Sequence, residues 1–292
     1  VKKFELTDEF ITNAFGNKLF RIKAIVDFGT IRAGELGGFV EKEENLSNDD
    51  NAWVSGNARV SDDARISDDA RISGNAQVSG NASVFGNASV SDDARISGNA
   101  QVYGNASVYG NAWVSDDARI SGNAQVSGNA LVYDNAQVYG NASVYGNAWV
   151  YDDARISGNA QVSGNARVSD DARISGNAQV SGNARVSDDA RISDDARISG
   201  NAQVSGNASV FGNADYAVVE GFGRYFRATT FFRCKDKILR VQCGCFYGDL
   251  AEFREIVKKT HGDSKYAKEY LAIADLMELH FSDDEGRQEA AE

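Results

Sequence analysis

An alanine stands at every sixth position from Ala52 to Ala214, without a break, 28 in all. Two residues after each of the first 27 comes a valine or isoleucine, from Val54 to Val210. The unit reads Ala-x-Val/Ile-Ser/Tyr/Phe-Gly/Asp-Asn/Asp. Side chains alternate faces along a strand, so Ala and Val/Ile point one way and the residue between them points the other. Gly-Asn and Asp-Asp supply the corner, because Gly and Asn adopt a positive φ at low cost. A six-residue period of short strand plus corner is the signature of a parallel β-helix. Three hexads make one triangular coil, with alanine keeping each corner tight and the Val/Ile stacks filling a narrow core. The expected fold is mainly β: a single-stranded, three-sided parallel β-helix of about nine coils, roughly 45 Å long at about 4.8 Å per coil. Its two ends are open edges and need caps.

The flanks lie outside the period. Residues 1–50 read as an N-terminal β cap. Leu19–Phe28 has the β-branched and aromatic content of a strand, and Gly34, Gly37 and Gly38 mark turns into the first coil. Residues 51–214 are the hexapeptide rod. Residues 215–281 read as a small C-terminal ββαα unit, a cap or docking unit. Its expected strands are Arg224–Cys234 and Ile238–Phe246, joined at Lys235-Asp236-Lys237. Asp249 is an N-cap for a helix through His261 that Gly262 ends, with Leu250, Phe253, Ile256 and Val257 as its apolar stripe. A second helix runs from Ser264 to Phe281 and turns Tyr266, Tyr270, Ile273, Leu276 and Met277 to one face. Residues 282–292 read as an acidic, flexible tail.

Composition narrows the setting. Proline is absent, against an average usage of about 5%, which excludes proline-rich linkers and collagen. No apolar run approaches the roughly 18 residues of a membrane helix, so no membrane association is expected. Val1-Lys2-Lys3-Phe4-Glu5 has no apolar signal-peptide core. Three cysteines are too few and too odd for a disulfide framework, so a cytoplasmic location is expected. The net charge of −12 opposes direct nucleic-acid or anionic-membrane binding.

The spacing Val-x-x-x-Ala-x resembles the hexapeptide repeat of left-handed β-helix proteins over residues 52–214. Many of those are acyltransferases, usually trimeric. The segments Asp27-Phe28, Ala33-Gly34, Gly37-Gly38-Phe39-Val40, Asn45-Leu46-Ser47 and Ala52-Trp53-Val54 resemble the start of an uncharacterised bacterial and phage β-helix family labelled as transferases. The resemblance implies a left-handed coil, which the period alone does not fix. The C-terminal unit is similar in outline to repeat proteins of phages and prophages.

If every coil has 18 residues, positions 18 apart stack. Trp113, Leu131 and Trp149 then fall on one face in three consecutive coils, with Tyr133 and Tyr151 beside them. Exposed apolar patches mark interaction sites, and Trp and Tyr are enriched at hot spots. This band is the candidate surface for a protein partner or a second copy. Tyr103, Tyr109, Tyr139 and Tyr145 fall on the other two faces, so part of the signal is a general aromatic belt. An acidic column also stacks along one corner: Asp116, Asp117, Asp134, Asp152, Asp153, Asp170, Asp171, Asp188 and Asp189. Arg119, Arg155, Arg173 and Arg191 follow its pairs, so an exposed salt-bridge network is expected, at about 0–1 kcal/mol per pair. Calcium between the stacked carboxylates is the alternative; no metal site is assigned. The rod holds 17 Asp and 11 Arg, with no Lys or Glu, a modest excess for a nucleic-acid mimic. Ice binding needs uncharged outward rows, and Arg and Gln recur there instead.

The family's enzymes need a histidine base. The rod contains no histidine or cysteine, and no loop interrupts its hexads. His261 and His280 both fall in the C-terminal helices, with structural roles expected. Cys234, Cys243 and Cys245 could hold zinc with a histidine, but Cys-x-Cys on a strand reads as small buried hydrophobes. No catalytic residue and no cofactor is assigned. The leading expectation is a non-enzymatic rod that presents surface patches. An acyltransferase-like enzyme and an acidic decoy are the alternatives.

Overall fold

The computed structural model describes residues 2–282. All of the expected tail except Ser282 lies outside the described residues. From Trp53–Val54 to Ser209–Val210 each hexad contributes one two-residue strand, β4 through β30. Strands three places apart pair in parallel, with partners 18 residues apart, as in Trp113 with Leu131 and Val114 with Val132. The result is three parallel sheets that form the faces of a prism.

The rod begins before its first hexad. Strand β3 (Leu36–Val40) pairs in parallel with β5 (Arg59–Val60), and Leu46 bridges to Ile66. This extra coil brings the solenoid to about ten turns, not about nine. The sequence hid it because its spacing is irregular and its inward residues are Val40 and Leu46.

The hexad explains its own geometry. Every alanine from Ala52 to Ala208 and every Val/Ile two places on is buried, each Val or Ile stabilising the core by about 1.5–3 kcal/mol. At the corners the left-handed residue is glycine or the first aspartate of a pair, as in Gly128 (φ +67°) and Asp116 (φ +56°). A Cβ on Gly128 would lie 2.9 Å from the Gly146 amide nitrogen of the next coil, so the stacked corners leave little room for one. The following asparagine stacks on its equivalents. Asn111, Asn129, Asn147, Asn165 and Asn183 each donate Nδ2 to the Oδ1 one coil on, at 3.0–3.1 Å, and the ladder reaches Asn201.

Much of the ladder has a direction. Asn57, Arg59 and Ser61 donate their amides to the carbonyls of Gly74, Ala76 and Val78 one coil further on, at 2.9, 2.9 and 3.0 Å. The last coil therefore has donors with no coil ahead, and the first has acceptors with no coil behind. Lys3 Nζ donates to the carbonyls of Asp49 (3.1 Å) and Asp50 (3.3 Å) at the N-terminal end. Buried Asn45 gives Nδ2 to the carbonyls of Asp62 (3.0 Å) and Ala64 (2.9 Å). At the other end the amide of Arg197 meets Asn213 Oδ1 (3.0 Å), that of Asn201 meets Glu220 Oε1 (3.3 Å), and that of Gln203 meets Thr230 Oγ1 (2.9 Å).

The N-terminal cap is a hairpin of β1 (Phe4–Thr12) and β2 (Lys18–Ala24), antiparallel, laid on β3. Strand β2 stops short of the expected Phe28, because the Asp27 carboxylate takes the Ala33 amide at 2.8 Å and turns the chain. The C-terminal unit has four antiparallel strands rather than two: β31 (Tyr216–Val219), β32 (Thr229–Arg233), β33 (Leu239–Cys243) and β34 (Phe246–Asp249). Alternation on β32 turns Phe232 into the rod's core and Phe231 into a second core beneath the helices. Helix α1 (Leu250–His261) starts at Asp249, whose Oδ1 takes the Glu252 amide at 2.8 Å while Glu252 Oε2 takes the Asp249 amide at 2.8 Å. Helix α2 (Lys265–His280) starts at Ser264. Ile256, Tyr266 and Leu276, expected on buried faces, are exposed; Phe253, Val257, Tyr270, Ile273 and Met277 fill the interface between helices and sheet. Among the described residues no helix is long and apolar enough to cross a membrane.

Candidate functional site: an aromatic band beside an acidic corner

The 18-residue register brings Trp113, Leu131 and Trp149 side by side, each one coil from the next. Trp113 is 45% exposed. Its Nε1 donates to Ser97 Oγ at 3.0 Å, which ties the indole back across the preceding coil. Leu131, Trp149, Tyr133 and Tyr151 are half-buried. The rings of Tyr133 and Tyr151 stack at 5.2 Å and 3°, and burial, then the neighbouring Tyr151, pushes the Tyr133 phenol up. The Arg167 guanidinium lies 4.6 Å from the Trp149 ring centre and bounds the band toward the C-terminus. Aromatics on the other faces are more dispersed. Phe85 and Tyr103 stack at 5.0 Å. Tyr109 and Tyr145 donate their hydroxyls to Gln125 and Gln161 at 3.4 and 3.3 Å.

The acidic column runs along the adjoining corner, where its members do different work. Asp116, Asp134, Asp152, Asp170 and Asp188 are the left-handed corner residues, with φ of 55–56°. Three of these carboxylates reach along the rod. Asp152 Oδ2 takes the Asp170 amide (3.4 Å), Asp170 Oδ2 takes the Asp188 amide (3.3 Å), and Asp188 Oδ2 takes the Gly206 amide (2.8 Å). Asp117 accepts from Asn99 Nδ2 at 3.1 Å and so ends an amide ladder. Asp153, Asp171 and Asp189 are exposed.

The salt-bridge network expected along this corner is not formed. Among the described residues no ion pair joins Arg119, Arg155, Arg173 or Arg191 to the column. Each arginine projects from the strand after the corner, while the Asp152, Asp170 and Asp188 carboxylates turn toward the next coil and Asp116 Oδ2 takes the Ser115 hydroxyl at 3.0 Å. Arg155, Arg173 and Arg191 occupy successive positions of one register row and are exposed. Among the described residues no group of three or more His, Cys, Asp or Glu is placed to hold a metal ion, at this corner or around the cysteines. Cys234 is buried, which pushes its thiol up, and Thr229 Oγ1 donates to Cys243 Sγ at 3.2 Å. His261 packs 5.8 Å from the Tyr270 ring, and His280 packs 4.9 Å from Phe281.

Sequence reasoning passed over one cluster. The β31–β32 loop, Gly221-Phe222-Gly223-Arg224-Tyr225-Phe226-Arg227, exposes three aromatics and two arginines. Its signal was local, aromatics and arginines between glycines, and it lay in a segment expected to begin a strand.

The YdcK β-solenoid repeat matches the rod at residues 64–80, 76–92, 100–116, 124–136, 136–152, 148–164, 154–170, 160–176, 178–191 and 190–204. No curated protein matches the chain. A solved structure of an Arabidopsis UDP-N-acetylglucosamine acyltransferase is similar over 74% of this chain and 89% of that one, at 10% identity and a TM-score of 0.30. The rod is a β-solenoid of hexapeptide repeats, and it resembles the YdcK β-solenoid repeat family.

Proposed function

We propose that this chain works as a rigid, non-enzymatic rod that presents surface patches for protein association. The band of Trp113, Leu131, Tyr133, Trp149 and Tyr151 is its docking face. The observation that carries the reading is the placement of Trp113: a large indole on a flat sheet, 45% exposed, one coil from Leu131 and two from Trp149. Elsewhere on that face the equivalent positions are Arg59, Gln77, Arg95, Arg167, Arg185 and Gln203. The aromatics therefore stand as an island in a polar row, as an association hot spot does. A second copy is the favoured occupant, since its face has the same pitch along the rod. From Ala52 to Val210 the rod's inward positions are filled by alanine, valine and isoleucine, which gives the band a stiff support and cuts the ordering cost of binding.

Light scattering on the wild type and on a Trp113→Ser, Trp149→Ser double variant tests this. An oligomeric wild type and a monomeric variant of unchanged circular dichroism support the reading. Equal masses that stay equal across concentration remove self-association from it.

A further inference from the structure

We infer that the β31–β32 loop, residues 221–227, is a second docking site, one that takes an acidic segment of a partner protein bearing apolar side chains. Phe222, Tyr225 and Phe226 are 43%, 63% and 71% exposed, three large aromatics within five residues. Arg224 and Arg227 are exposed beside them. Their guanidinium carbons lie 5.5 and 5.1 Å from the Tyr225 ring centre. Among the described residues neither arginine is in an ion pair.

The loop is built, not slack. Gly221, Gly223 and Phe226 all have left-handed backbone, at φ of 86°, 72° and 53°. Glycine accepts that conformation, whereas phenylalanine is strained in it. The Gly223 amide is fixed by Glu269 Oε2 of α2 at 2.9 Å. A Cβ on Gly223 would fall 2.1 Å from the Tyr270 hydroxyl, so the loop is pressed against that helix. Arg227 rests over Gly244 in the β33–β34 turn. A surface held in place in advance loses little entropy on binding.

Charge selects the occupant. The whole chain carries −12, but between residues 215 and 282 Lys and Arg number 11 against 10 Asp and Glu. The two guanidinium groups, without an ion-pair partner among the described residues, call for carboxylates, and Phe222 and Phe226 call for apolar side chains between them. A nucleic-acid strand fits less well. A strand of phosphates leaving the loop would carry one charge per nucleotide along an acidic rod.

The test uses the full chain and a short fluorescein-labelled peptide of Asp-Phe-Glu-Leu repeats, followed by anisotropy. The wild type is expected to bind it saturably, and the affinity to fall as salt rises. Arg224→Glu with Arg227→Glu is expected to weaken binding by at least roughly tenfold. Phe226→Gly separates docking from structure. Glycine relieves the left-handed strain, so the melting temperature rises while peptide binding falls by a similar factor. No binding by the wild type overturns the inference, as does unchanged binding by both variants. A loop that instead binds oligothymidine or phosphatidylserine vesicles in preference to the peptide overturns the choice of partner.

Discussion

At its N-terminal end the rod's forward ladder is met by donors, and at its C-terminal end by acceptors. Glu41 Oε2 also takes the Asp62 amide at the first end, and the Tyr216 hydroxyl and Lys235 amide donate to carbonyls at the last. Lys3 and Asn45 supply N–H groups to carbonyls of the first coils. Asn213, Glu220 and Thr230 supply oxygens to amides of the last. The difference follows from the ladder's direction, since each coil gives strand-flanking amides to the coil ahead. An uncapped end would strand polar groups against an apolar core and offer a template to another strand. The repeat makes every coil alike, so only the aperiodic flanks can supply these unlike ends.

Substitutions at the two ends sharpen this contrast. The largest effect is expected from Asn45→Leu, which leaves two carbonyls without their donor inside a buried site. It should cost about 4 kcal/mol, and hydrogen exchange should quicken in the first coils while the last stay protected. Thr230→Val removes one acceptor from the Gln203 amide. It should cost about 2 kcal/mol, with faster exchange confined to the last coils. Fraying spread evenly along the rod in either variant would break the comparison.

A third effect belongs to one end alone. Burial pushes the Lys3 ammonium down to about 8 from 10.5, against the pull of Asp50 and Asp49. Between those values the unfolded chain binds more protons than the folded one, so stability rises with pH. Denaturant titrations should show a gain of about 1 kcal/mol between pH 8 and 9. Lys3→Met should lose that slope, and an unchanged slope would place its origin elsewhere. The smallest effect is expected mid-rod. Asn129→Ala breaks an exposed amide ladder whose backbone is already paired, and it should cost under about 0.5 kcal/mol.

The same contrast explains what the sequence revealed. Where the period holds, spacing dictates structure: Trp113, Leu131 and Trp149 lie in register because 18 residues make one coil. The buried Ala and Val/Ile stacks follow from the same count. Where a side chain chooses among partners, spacing is silent. Asp152, Asp170 and Asp188 sit three residues from arginines, yet a left-handed corner turns their carboxylates onto amides of the next coil. Outside the period the reading was coarser. Strands β1, β31 and β34 went unseen because they are short or polar on their open sides. Phe222 and Phe226 were hidden because exposure of an aromatic in a loop depends on backbone φ, which composition does not encode.

We propose that the Trp113 band is covered when this rod associates. Hydroxyl-radical footprinting of the full chain across a range of concentrations tests it directly. Trp53, 2% exposed, serves as the internal buried control. Oxidation of Trp113 should fall as the protein is concentrated, while Trp53 stays unreactive throughout. Trp113 oxidation that is independent of concentration, in samples whose mass rises with it, would contradict the account.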